Sequence, residues 1–375
     1  MLGRGSMESS QPARPDSSSV LSIQALRAIA ALLVLWGHAI NAVKLEVTAD
    51  FPHLYGPFGV DLFFIISGFV MVYSSERLFG EPRASIKFFA RRLARIVPLY
   101  WAATATLVWF VVPYASTKAV LGSLFFAPHI PSEAPLLFVG WTLIFEMFFY
   151  TIFAIALLAK RRIAVVASTS VVLISFVALG PGSTAGNWAP PASSSIAYLA
   201  DPISIEFVFG MMIALLYRAG VRVPMWATVG LIAVAVIWLT QSTAMPSVPR
   251  PFGAGIAATL IVAAMSLSSM SSPKYRPFMG GVTFLADISY ALYCTHLLSF
   301  GLVAWAAAKL AISPVGHAWA YFLAMLATGL IIAAGTHLLF EKPITNLLKG
   351  RIERPGGPVN SAIRKFRLSL RPSTI

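Results

Sequence analysis

The chain has one cysteine, Cys294, in 375 residues, so no disulfide can form within it. Acids are scarce as well: 14 Asp and Glu stand against 28 Lys and Arg, and charged residues of both signs make up only 11% of the sequence. That is under half the roughly 25% usual in a soluble domain. What fills the space is apolar. Hydrophobic residues reach 58% and mean hydropathy is +0.78, which gives the fold class as an all-α polytopic membrane protein that rests on helix packing. The net charge of +14 does not point to nucleic acid, because the basic residues lie in short loops and the C-terminal tail, where charge sets membrane orientation.

Residues 1–19, rich in Ser, Pro and Arg, are expected to form a disordered cytoplasmic tail. The apolar segment that follows, about 20–43, is too long for a cleavable signal and reads as a retained span. Nine further spans are expected at about 57–75, 96–112, 135–159, 163–180, 202–217, 225–241, 252–269, 283–308 and 317–340. With both termini inside, every Lys and Arg except Lys44, Lys118, Arg250 and Lys309 falls on the cytoplasmic side, a strong positive-inside bias. A membrane domain over 20–343 and a basic cytoplasmic tail over 344–375, disordered against anionic lipid from Lys349 onward, complete the expected organisation.

Several ionisable residues interrupt these spans, and each is a functional candidate because burial at membrane depth is costly. Arg27 and His38 share the first span; eleven steps of about 100° bring them to one face, roughly 16 Å apart along the axis. Asp61 opens the second span in the half that also holds His38. There it can pair with the imidazole or simply cap its own helix, with Gly68 on the same face permitting close helix approach. The loop after it carries Arg91, Arg92 and Arg95, a topology signal whose guanidiniums could also clamp phosphates. Glu146 sits mid-span with Thr142 and Tyr150 one turn to either side, and needs an internal partner. Glu206 repeats that argument more weakly. Ser289, Tyr293 and His296 form one stripe of the ninth span, for which interhelical hydrogen bonding is the favoured explanation, and His296→Ala is expected to leave measurable activity. His337 and Glu341 are spaced to pair at the inner surface.

Five of these stretches, in this order, resemble the motifs of acyltransferase family 3, the integral membrane O-acyltransferases. They are Ser22–Arg27 continuing to His38, Gly59–Phe69, Arg91–Pro98, Trp141–Tyr150 and Ile288–His296, and the resemblance runs from about Ser22 to Pro343. The opening Ser-Ile-Gln together with Ile205–Gly210 looks most like the exopolysaccharide O-acetyltransferase branch. The hydrolase-like extracytoplasmic domain of longer members has no counterpart in these residues. The resemblance implies transfer of an acyl group, usually acetyl, from cytoplasmic acetyl-CoA or another acyl-CoA to a hydroxyl of a glycan or small molecule. No metal is expected. Arg27, Arg91, Arg92 and Arg95 would bind the donor, and His38 would act as general base or, as the alternative, accept the acyl group itself. Asp61 or Glu146 would orient it. The rival from another class is a proton-coupled transporter of a glycan or organic acid that uses Glu146, Asp61 and His38 as a relay, though the second half of the chain shows no repeat of the first. Expected partners are the acyl-CoA, the acceptor and membrane lipid, with no nucleic acid; oligomeric state is left open.

Overall fold

The computed structural model describes residues 17–44, 56–128, 135–180, 194–243, 245, 248–269 and 276–354. Expectations for residues 1–16 and 355–375 therefore lie outside the described residues. Thirteen α-helices follow in chain order: α1 (Ser17–Lys44), α2 (Phe58–Ser74), α3 (Ala84–Phe110), α4 (Thr117–Leu124), α5 (Gly140–Ala156), α6 (Arg162–Leu179), α7 (Ser195–Leu199), α8 (Ser204–Arg218), α9 (Met225–Thr243), α10 (Ala254–Leu267), α11 (Arg276–Lys309), α12 (Ala318–Thr336) and α13 (Lys342–Glu353). The described residues contain no strand. Eight helical segments are long and apolar enough to cross a membrane, and α2 and α10 are apolar but only 17 and 14 residues long. Those two fall on the second and eighth of the ten expected spans.

The inner layer is α1, α2, α8 and α11. Helix α2 packs along α8, while α1 is flanked by α11, α2, α10 and α12. Small residues make the closest of these approaches possible. A Cβ at Gly68 would collide with the Phe207 carbonyl and one at Gly210 with the Ile65 carbonyl, so α2 and α8 touch backbone to backbone. This is the packing expected where lipid supplies no hydrophobic drive and van der Waals contact must do the work. Aromatic rings fill the adjoining space, with Phe149 stacked on Phe207 at 4.4 Å and Phe145 on Tyr198 at 5.0 Å. By contrast α9 is peripheral and leaves Trp226 and Ile237 exposed.

Two boundaries differ from the sequence expectation for a common reason. Helix α3 starts at Ala84, twelve residues before the apolar window does, because its first turns carry the basic cluster and are polar without ceasing to be helical. The basic tail likewise begins as helix. A π-helical turn, His337–Glu341, lets α12 run on into α13 past Pro343, so residues 342–353 are ordered against α3. The expected His337–Glu341 pair is formed inside that turn at 2.8 Å.

Candidate active site

A cavity of about 100 Å³ lies between α1, α2, α3, α5 and α11. Its polar lining comes from Arg27, Ser67, Arg92, Arg95, Thr142, Glu146, Tyr150, Ser289, Tyr290 and Tyr293. Helical periodicity delivers these groups in stripes, since Thr142, Glu146 and Tyr150 succeed one another at four-residue intervals on α5. Ser67 donates to Glu146 Oε1 at 2.7 Å and Tyr150 donates to Oε2 at 3.2 Å, so the acid is held from two sides. Across the cavity the Arg27 guanidinium donates to Ser289 Oγ at 2.8 Å. Further along α11, Tyr293 donates to the Val139 carbonyl at 3.0 Å and also bonds Thr142.

The basic groups gather at one end. Arg92 donates to Ser74 at 3.0 Å, with its guanidinium over the rings of Phe88 and Tyr150 at 5.4 and 5.3 Å. Arg95 also lines the cavity, and among the described residues it forms no hydrogen bond or ion pair. Arg91 does not line it. Its guanidinium is turned outward to Glu353 of α13, at 3.2 Å with both side chains exposed. The same contact brings α13 over the cluster, and Lys349, one turn before Glu353, lies close enough to Arg91, Arg92 and Arg95 to feel all three charges. Sequence reasoning missed Lys349, because the tail reads as a topology signal alone.

His38 lies at the other end of α1, beyond Tyr293 and outside the cavity lining. Its ring meets Phe138 at 6.0 Å and His296 at 5.0 Å, both edge to face. Neither expected carboxylate is beside it. Both Asp61 oxygens accept from Arg250, at 2.8 and 3.1 Å, and the acid is fully buried with Glu206 against the same pair. Glu146 is engaged by Ser67 and Tyr150. Arg250 reaches Asp61 from the segment between α9 and α10, across 189 residues of sequence, which no local pattern announces. The neighbour His38 does have, His296, belongs to a stripe the sequence made visible, but its partner did not.

The acyltransferase domain family matches residues 20–337. This chain belongs to acyltransferase family 3. It is 32% identical over 322 residues to the exopolysaccharide production protein ExoZ of Rhizobium meliloti (strain 1021), an alignment covering 80% of this chain and 92% of that one. It is 23% identical to the acyltransferase MdmB of Streptomyces mycarofaciens, over 88% of this chain and 92% of that protein. No solved structure is a significant match. The protein is thus a multi-pass membrane O-acyltransferase, and the carrier alternative gives way to the enzyme. As in any acyltransferase, an acyl donor and a hydroxyl-bearing acceptor must meet. Helix α13 lies beyond the residues that the family model matches.

Proposed function

We propose that the protein acetylates a hydroxyl of a cell-surface or lipid-linked glycan, drawing the acetyl group from cytoplasmic acetyl-CoA. It would sit in the inner (cytoplasmic) membrane with ten spans and both termini cytoplasmic. The observation that carries this reading is the order of groups along the site: Arg92 and Arg95 in the cavity lining with Lys349 beside them, Arg27 further along the same lining, and beyond the cavity the His38–His296 pair, with His38 roughly 16 Å from Arg27 along α1. Coenzyme A has the matching form, with phosphates at one end and a thioester at the end of a long arm. Arg92, Arg95 and Lys349 would hold the phosphates by charge-assisted bonds, with Arg27 further along the arm. Arg91, occupied by Glu353, would contribute to the surrounding field more than to contact.

At the far end His38 acts as general base. A ring nitrogen takes the acceptor O–H proton as the oxygen attacks the thioester carbonyl carbon. The C–S bond then breaks, and the sulfur receives the proton from the imidazolium, leaving an O-acetyl ester and free coenzyme A. The glycan acceptor is favoured by the similarity to an exopolysaccharide production protein over most of both chains. The test is purified protein in nanodiscs with radiolabelled acetyl-CoA and de-O-acylated exopolysaccharide oligosaccharide. Labelled ester formed without any transmembrane gradient supports the reading; uptake that depends on a gradient, with no ester formed, overturns it.

A further inference from the structure

As general base, His38 has a proton to move but no carboxylate beside it to hold one tautomer and one orientation. Both acids suited to that task are engaged elsewhere, Asp61 by Arg250 and Glu146 by Ser67 and Tyr150. His296 is the polar side chain whose ring lies against that of His38, on which the ring of Phe138 also packs. It is almost completely buried, at 1% exposure, on the inner helix α11.

The hydrogen bonding of His296 defines what it can offer. Its Nδ1 lies 2.9 Å from the Leu292 carbonyl, one turn back on the same helix. A carbonyl only accepts, so Nδ1 carries the proton and, in the neutral ring, Nε2 presents a lone pair. That Nε2 is buried and has no hydrogen-bond partner among the described residues. A buried acceptor left unsatisfied costs free energy and calls for an explanation. The rings around it, Tyr293 at 6.3 Å, Phe300 at 5.7 Å and His38 at 5.0 Å, include just one with a nitrogen to donate.

We infer that His296 is the positioning residue of His38: its Nε2 lone pair accepts the N–H of the His38 imidazole and leaves the other His38 nitrogen unprotonated toward the acceptor hydroxyl. The contact tightens from the present edge-to-face arrangement by a small rotation of His38, which is the half-buried and less constrained of the two rings. His296 thereby takes the place that a carboxylate holds in an acid–histidine pair, without bringing a net charge to that depth. The inference rests on the assignment of His38 as base, and its test is built to separate the two.

Gln and Asn at position 296 make the distinction, because a Gln amide reaches the place of Nε2 whereas an Asn amide reaches only that of Nδ1. If His296 merely packs and bonds Leu292, His296→Asn should work as well as wild type. If it positions His38, His296→Ala and His296→Asn should lower kcat by about tenfold or more with the KM for acetyl-CoA unchanged, while His296→Gln recovers most of it. Thermal stability and coenzyme A affinity are measured on the same preparations. Full activity of His296→Asn, or a His296→Gln variant that is folded, binds coenzyme A and is as slow as His296→Ala, overturns the inference. A second measurement does not depend on activity: nitrogen NMR of ¹⁵N-histidine-labelled protein in nanodiscs. The His38 signals should report one tautomer in wild type and His296→Gln, and lose that preference in His296→Ala. Identical His38 signals in wild type and His296→Ala overturn the inference even where transfer is observed. An absence of transfer by wild type refutes the assigned reaction, while the NMR result still decides the pairing.

Discussion

Replacing Arg95 by Ala isolates the donor-binding role of the basic end. Arg95 lines the cavity and forms no hydrogen bond or ion pair among the described residues, so its removal should leave the folded state unstrained and withdraw one phosphate contact. A hydrogen bond to a charged group contributes about 1.5–3 kcal/mol. Because Arg95 is half-buried and partly screened, the lower end applies, about 1.5 kcal/mol, or roughly a tenfold rise in the coenzyme A Kd. Arg91 provides the internal comparison. Already paired with Glu353 at an exposed edge, it should change the Kd by less than about twofold on substitution by Ala. Lys349→Ala should fall between them, at about threefold, since its charge is present and less buried. Isothermal titration of coenzyme A into protein in nanodiscs, repeated at two ionic strengths, reads all three, and the differences should narrow as salt rises. Acetyl-pantetheine, which lacks the nucleotide phosphates, should be indifferent to every one of these substitutions. An unchanged Kd in Arg95→Ala, or an equal loss in Arg91→Ala, would refute the reasoning and reduce the cluster to a topology signal.

His38→Ala should abolish ester formation while preserving coenzyme A affinity, and a variant that keeps a tenth of wild-type turnover would remove it as base. Glu146→Gln keeps an acceptor oxygen for Ser67 and turns its NH2 toward the Tyr150 hydroxyl, which can accept, but loses the carboxylate near Arg27; kcat should fall by roughly tenfold with little change in melting temperature, as followed by dye-based unfolding. Arg250→Ala strands the fully buried Asp61 and should cost about 3–5 kcal/mol, seen as a large loss of thermal stability in detergent, whereas adding Asp61→Asn should restore part of it. Gly210→Val drives a side chain into the Ile65 carbonyl on α2, so the expected outcome is loss of folded protein on size-exclusion chromatography.

The helix stripes were legible because an angle of 100° per residue is fixed by the backbone alone. Thr142, Glu146 and Tyr150 fall on one cavity face as spaced, and so do Ser289 and Tyr293, with His296 beyond them. What periodicity does not carry is the register between helices. Span order alone puts Asp61 and His38 in the same half of the bundle, yet which cation reaches which acid depends on how α2 is rotated and on a segment 189 residues away. The helical state of residues 342–353 was hidden for a different reason. Pro343 and a run of basic residues look like an end, and the widened turn at His337–Glu341 that accommodates the proline has no composition of its own.

That turn makes α12 and α13 one hydrogen-bonded rod of 36 residues, about 54 Å long, against a hydrocarbon layer of about 30 Å. A rod of fixed length answers a change in bilayer thickness by tilting, since it cannot stretch. Its far end carries Lys349 and Glu353, the latter tied to Arg91 on α3, so any change of tilt between the two helices is delivered at the basic cluster. On the proposed assignment of that cluster to the donor, acyl-chain length in the surrounding lipid would reach the site through this one contact.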